Sequence, residues 1–154
     1  MNSSFNPASS YQYDPQGLAF TERSESLKLV AYPDQGKVWT VGYGHTGPEV
    51  HQGLVITQAQ AAQWLLEDST KAANAVRTHV TVKITQNQFD ALVDFAYNVG
   101  IPAFEGSTML KYLNAGNYQQ ADLDFQQWVF VKGVKNRGLQ NRRTAEEQEF
   151  EGKV

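Results

Sequence analysis

Ser24-Glu25-Ser26-Leu27-Lys28-Leu29-Val30-Ala31-Tyr32-Pro33-Asp34-Gln35-Gly36-Lys37-Val38-Trp39-Thr40-Val41-Gly42-Tyr43-Gly44-His45-Thr46 is the stretch that decides the fold. It begins at the end of a helical segment. Asp14 before Pro15 is a start signal, with proline at the first helical position, and a short helix is expected from about Pro15 to Ser26. Leu29–Tyr32 and Lys37–Tyr43 are rich in β-formers. Pro33-Asp34-Gln35-Gly36 between them is a turn, in which proline presets φ and glycine accepts a positive φ. The segment therefore reads as a β-hairpin. Alternation puts Val38, Thr40 and Gly42 on one face and Trp39, Val41 and Tyr43 on the other. Thr40 then neighbours a residue with no side chain, and an open groove is expected there.

Downstream the period becomes helical. Thr57-Gln58-Ala59-Gln60 and Thr85-Gln86-Asn87-Gln88 read as capping boxes. Ala61, Trp64, Leu65 and Ala72 follow the first, and Phe89, Leu92, Val93, Ala96 and Val99 follow the second. Gly100 and Pro102 end that helix. Ser107 and Asn117 are caps for two further helices, and a loop over 129–138 leads to a last helix through Arg142, Arg143 and Phe150. A small β element among helices makes an α+β domain, with a cleft between a β lobe and a larger helical lobe. Residues 1–14 are Ser/Asn/Tyr/Gln-rich and aperiodic, and read as a flexible N-terminal arm, leaving 15–154 as a single domain.

The chain has 154 residues, a hydrophobic fraction of 41% and no cysteine. It is long enough for one core, and thiolate sites and disulfides are excluded. A formal net charge of -3 is a poor match for nucleic acid. No apolar run reaches spanning length, and the first residues lack a signal-peptide pattern. His45, His51 and His79 have no metal-ligand spacing, so no metal and no cofactor are expected.

Glu25, Asp34 and Thr40 carry the chemistry. Taken singly, each has an ordinary role: a solvated charge, a turn former and a strand residue. Together they place two carboxyls and a hydroxyl beside a groove, which suits glycoside hydrolysis. One carboxylic acid protonates the leaving oxygen, and the other carboxylate handles water or the sugar cation. A threonine hydroxyl can fix the water. His45 reads more readily as a hydrogen-bond partner of a carboxylate than as a base. Trp64, Phe125 and Trp128 read as core, and Trp39 packs away from Thr40.

The E-x8-D-x5-T run with its following Gly42-Tyr43-Gly44-His45-Thr46 resembles the phage-type lysozymes of glycoside hydrolase family 24. Later segments resemble the family in order: Gln88–Leu92, Phe95–Gly100, Ala103–Leu110, Leu113–Gly116 and Gly138–Arg143. The resemblance covers about residues 17–150. It implies a lysozyme-like fold and an endolysin that hydrolyses the β-1,4 bond between N-acetylmuramic acid and N-acetylglucosamine with inversion. Glu25 is similar to the proton donor, Asp34 to the second carboxylate, and Thr40 to the residue that helps Asp34 hold the water. Thr46, Tyr97, Ser107 and Asp124 fall where relatives contact the sugar chain. Arg142 is similar to the arginine that reaches the catalytic glutamate. A cation there favours the ionised acid, whereas a general acid needs its proton, so a lobe-tying salt bridge is an equal reading.

Ser24 and Ser26 replace the family's aromatic and glycine. The resemblance further implies a monomer made in the host bacterial cytoplasm. It would act on the peptidoglycan glycan strand, without stable membrane association, and reach the periplasm through a separate holin. Two other readings stand beside it: a non-catalytic peptidoglycan-binding module, and a lytic transglycosylase. Lys132, Lys135, Arg137, Arg142 and Arg143 form a basic run ahead of Glu146, Glu147, Glu149 and Glu151, which reads as a solvated face or as a surface for peptide carboxylates.

Overall fold

The structure is a computed structural model and describes residues 4–153. Chain order runs β1 (Asn6–Pro7), α1 (Pro15–Ser24), β2 (Lys28–Pro33), β3 (Trp39–Gly42), β4 (His45–Thr46) and α2 (Gln58–His79). After it come β5 (Lys83–Ile84), α3 (Gln86–Val99), α4 (Ile101–Glu105), α5 (Thr108–Asn114), α6 (Tyr118–Asp124), β6 (Phe130–Val131), β7 (Val134–Lys135) and α7 (Arg137–Phe150). The architecture is α+β, with an antiparallel β2-β3-β4 lobe and a larger helical lobe.

Local chemistry explains the boundaries. Asp14 accepts the Gly17 N–H at 2.8 Å and Pro15 opens α1. The helix stops at Ser24, two residues short of the expected end, because Glu25 is already extended (φ -99°, ψ 138°). Ser26 lies outside the helix and does not have a positive φ, so serine brings no backbone strain there. Thr85 forms the full expected capping box with Gln88. Thr57 supplies the cap of α2, accepting from the Gln60 N–H at 3.1 Å.

The α3 helix is the spine of the helical lobe. Phe89, Leu92 and Phe95 on it are fully buried, with Phe104, Met109, Leu113 and Phe125 around them. Phe95 makes edge-on contacts with Phe125 and Trp128 at centroid distances of 5.4 and 5.6 Å. Trp39 packs with Val41 and Val50 in a separate β-lobe cluster.

Two expectations are corrected. Residues 4–14 do not form a loose arm. Ala8 and Tyr11 are buried in the main core, β1 pairs with β5, and the Tyr11 hydroxyl donates to the Ile84 carbonyl at 2.7 Å. The segment has two apolar anchors that its polar composition hides; residues 1–3 lie outside the described residues. The basic run is likewise no solvated face throughout. Arg142 and Arg143 are 8% and 0% exposed and are paired with acids of α3 and α7. Lys132, Lys135 and Arg137 remain exposed.

Candidate active site

Asp34 sits in the hairpin turn and shapes it. Its Oδ1 accepts the N–H groups of Gly36 and Val38, both at 2.8 Å. The positive φ expected at Gly36 falls instead on Lys37 (62°), the bulge position of a longer turn. Thr40 lies opposite Tyr32 in the β2–β3 register and is 4% exposed. Its hydroxyl donates to the Val38 carbonyl at 2.9 Å, leaving lone pairs to accept.

The groove expected beside Gly42 is absent. A Cβ there would meet Ala61 Cβ at 3.3 Å, so the bare backbone serves the close approach of α2. The opening lies instead at Glu25. Glu25 lines a hollow of about 660 Å³ between the lobes, with Tyr32 and Gln35 on the β side and Asn98, Leu139 and Arg142 on the helical side. Burial, then the charges of Glu25 and Asp34, raise the Tyr32 phenol above its ordinary range, so both carboxylates flank this ring.

Arg142 Nη1 donates to Glu25 Oε2. The same guanidinium donates from Nε to Asp94 Oδ2 at 3.0 Å and from Nη2 to Asp94 Oδ1 at 2.8 Å. The tie between lobes and the contact with the acid are thus one interaction.

A second hollow, of about 240 Å³, is lined by Gly44, Thr46 and Tyr97. Thr46 is exposed, and the Tyr97 hydroxyl donates to the Tyr43 carbonyl at 2.6 Å, joining α3 to the β lobe. Burial and the nearby Glu25 and Asp68 charges raise the Tyr97 phenol, which keeps it a neutral donor.

Ser107 and Asp124 are not brought to either hollow. The Ser107 hydroxyl accepts from Leu110 N–H at 3.2 Å and donates to Phe104 carbonyl at 2.7 Å, capping α5. Asp124 accepts from Thr108 Oγ1 at 2.6 Å. Both are buried within the helical lobe.

His45 lies between two carboxylates. Nδ1 is 2.6 Å from Asp68 Oδ2, and Nε2 contacts Glu49. Its ring stacks on Trp64 with centroids 4.2 Å apart, consistent with a structural rather than a basic role. The His45 hydrogen bond holds the Glu49 carboxyl below its usual range.

Sequence reasoning missed Tyr32, Gly44 and Asp94. The only signal for Asp94 is an acid four residues after Asp90, set between the apolar runs Ala91-Leu92-Val93 and Phe95-Ala96.

Glu25 thus lines a hollow between the two lobes, whereas Asp34 in the adjoining hairpin turn and the buried Thr40 do not line it. A small β lobe set on a larger helical lobe, with an acid in the hollow between them, is the architecture of a lysozyme-type glycosidase. The chain belongs to the phage lysozyme family, whose sequence profile matches residues 22–146. It is similar to an endolysin of Acyrthosiphon pisum secondary endosymbiont phage 1, at 41% identity over 140 residues, covering 88% of this chain and 95% of that protein. An endolysin of Bacillus phage B103 is 42% identical over 137 residues; 87% of this chain is covered, but only 52% of that longer protein. Among solved structures, the endolysin of Escherichia coli O157:H7 phage FAHEc1 superposes with a TM-score of 0.82 at 39% identity, covering 94% of this chain and 96% of that one.

Proposed function

We propose that the cleft takes a glycan strand of bacterial peptidoglycan and that Glu25 protonates the glycosidic oxygen of a β-1,4 bond between N-acetylmuramic acid and N-acetylglucosamine. Asp34 then acts on a water from the opposite face of the sugar, and Thr40 helps hold that water through its free lone pairs. Water attack from that face inverts the anomeric carbon. Thr46 and Tyr97 contact the strand where it passes the second hollow.

The observation that carries this reading is the position of Glu25. It lines a hollow of about 660 Å³, with the Arg142 guanidinium on its carboxyl and the bare backbone of Gly44 against its Oε1. The reading takes the protein to act as a monomer. No helix among the described residues is long and apolar enough to cross a membrane. The proposed route to the wall is release from the cytoplasm through a separate holin.

Release of reducing ends from purified peptidoglycan tests the reading. Wild type should release them, and Glu25→Gln should lose at least about 100-fold in kcat with little change in KM. NMR of the first-formed product should show the α-anomer. Equal rates for the two proteins overturn the role of Glu25, and a β-anomer overturns inversion. Mass spectrometry showing anhydro-sugar ends would point to the transglycosylase instead.

A further inference from the structure

A guanidinium in contact with a general acid creates a chemical conflict, because the cation favours the ionised carboxylate and catalysis needs the protonated one. The structure contains a counterweight. Asp94, 0% exposed on α3, takes two bonds from one edge of Arg142. That leaves Nη1 aimed at Glu25. Asp94 is itself fixed from α1, where Thr21 Oγ1 donates to Oδ1 at 2.6 Å, and Tyr13 contacts Thr21 from below at 2.5 Å. An unbroken chain of contacts runs from Tyr13 through Thr21, Asp94 and Arg142 to Glu25.

We propose that Asp94 is a positioning residue for the general acid: it aims Nη1 of Arg142 at Glu25 and offsets the guanidinium charge, so that Glu25 retains its proton while the enzyme works. This rests on the reading of Glu25 as the acid.

The surroundings of Asp94 suit a carboxylate rather than a carboxylic acid. Burial alone would lift its carboxyl. The Glu146 hydrogen bond, the Arg142 charge and bonds, and the Thr21 bond bring it below the usual range. Glu146, fully buried on α7, is driven the other way by burial and by Asp94, against the pull of Arg143 and Arg142. The contact between the two acids therefore favours the charge on Asp94. Glu149 on α7 and Tyr13 also lie in the field of Asp94, and both are raised, by burial first and then by its charge. Around Glu25 itself the facing groups are Arg142 from α7, Tyr32 from β2 and Tyr97 from α3.

Asp94→Asn removes the offsetting charge with little change of shape. The alkaline limb of the kcat/KM profile on a soluble peptidoglycan fragment should then move to lower pH by about 1 unit or more. A merely structural role would lower stability and rate without moving the limb, and that result overturns the proposal. A second measurement needs no variant: carboxyl-carbon NMR titration of the intact wild-type protein should show Asp94 ionised across the whole pH range of turnover. Titration of Asp94 above Glu25 overturns it as well. Glu25→Gln in the same assay separates the two levels. If that variant is inactive and the limb of Asp94→Asn is fixed, only the role of Asp94 falls. If Glu25→Gln stays active, the acid assignment falls and this inference with it.

Discussion

A Cβ on Gly44 would lie 3.2 Å from Oε1 of Glu25. The second glycine of the Gly42-Tyr43-Gly44-His45 run therefore sits against the acid itself, at a φ of 88° that side chains rarely adopt. Gly44→Ala should lose about 1–3 kcal/mol of stability from backbone strain. It should also lower kcat more than it raises KM, because the new methyl displaces the carboxyl. Urea unfolding and steady-state kinetics on peptidoglycan check both effects.

Asp34 shapes its turn and, in the proposed mechanism, also acts on the water, and one substitution separates the two. Its Oδ1 holds the turn through the Gly36 and Val38 N–H groups. Asn keeps that acceptor and removes the charge. Asp34→Asn should leave stability within about 0.5 kcal/mol of wild type while reducing turnover by roughly 100-fold or more. Asp34→Ala should lose both, and thermal unfolding beside the reducing-end assay distinguishes them.

Asp90 links stability to pH. Burial, then the hydrogen bond and charge of Asp14, push its carboxyl up to about 9. The unfolded chain releases that proton near pH 4, at about 3.9. Between those values the folded protein holds a proton that the unfolded chain has lost. The contribution of Asp90 is thus fully present below about pH 4 and is lost as pH rises toward 9. Asn at this position can still accept from Gln86 Nε2, now 2.9 Å from Oδ1, and donate to Asp14. Asp90→Asn should flatten the fall in Tm between pH 5 and 8 and be the more stable protein at pH 8. Parallel melting curves in the two buffers measure this.

The docked N-terminal segment should matter to stability. Tyr11 is buried, lies against Phe89 with centroids 5.7 Å apart, and bonds the Ile84 carbonyl. Tyr11→Ala should cost roughly 3–5 kcal/mol in denaturant unfolding. A loss under 1 kcal/mol would mean the segment contributes little to the core.

Lys132 and Lys135 stand exposed on the β6–β7 hairpin beside a hollow lined by Asn98, Trp128, Phe130 and Leu139. That hollow shares Asn98 and Leu139 with the one at Glu25. Neutralising both lysines should slow wall lysis more at low salt than at high, since exposed charges act over a Debye length of about 10 Å at 0.1 M. Equal slowing at both salt concentrations would make them ordinary surface.

The placements of Glu25 at a helix end, Asp34 in a turn and Thr40 on the returning strand were legible because these are local features with strong residue signals. The capping threonines were legible for the same reason. Tyr11, Arg143 and Glu146 were not, since a polar or charged letter gives no sign of a buried partner distant in sequence. Ser107 shows the opposite failure. Its capping role was visible from sequence, whereas the family position suggested a sugar contact and the side chain lies buried away from both hollows. Gly42 and Gly44 look alike in sequence, and only packing shows that one admits a helix and the other an acid.

Arg142 meets Glu25 from 117 positions further along the chain. A ribosome delivers Glu25, Asp34 and Thr40 early and the arginine almost last. A chain that terminates before α7, or is clipped at that end by a protease, keeps the whole recognisable motif and lacks the cation that faces its acid. Translation order therefore separates making the motif from completing the site, and motif detection in a truncated gene says nothing about whether its product can cut.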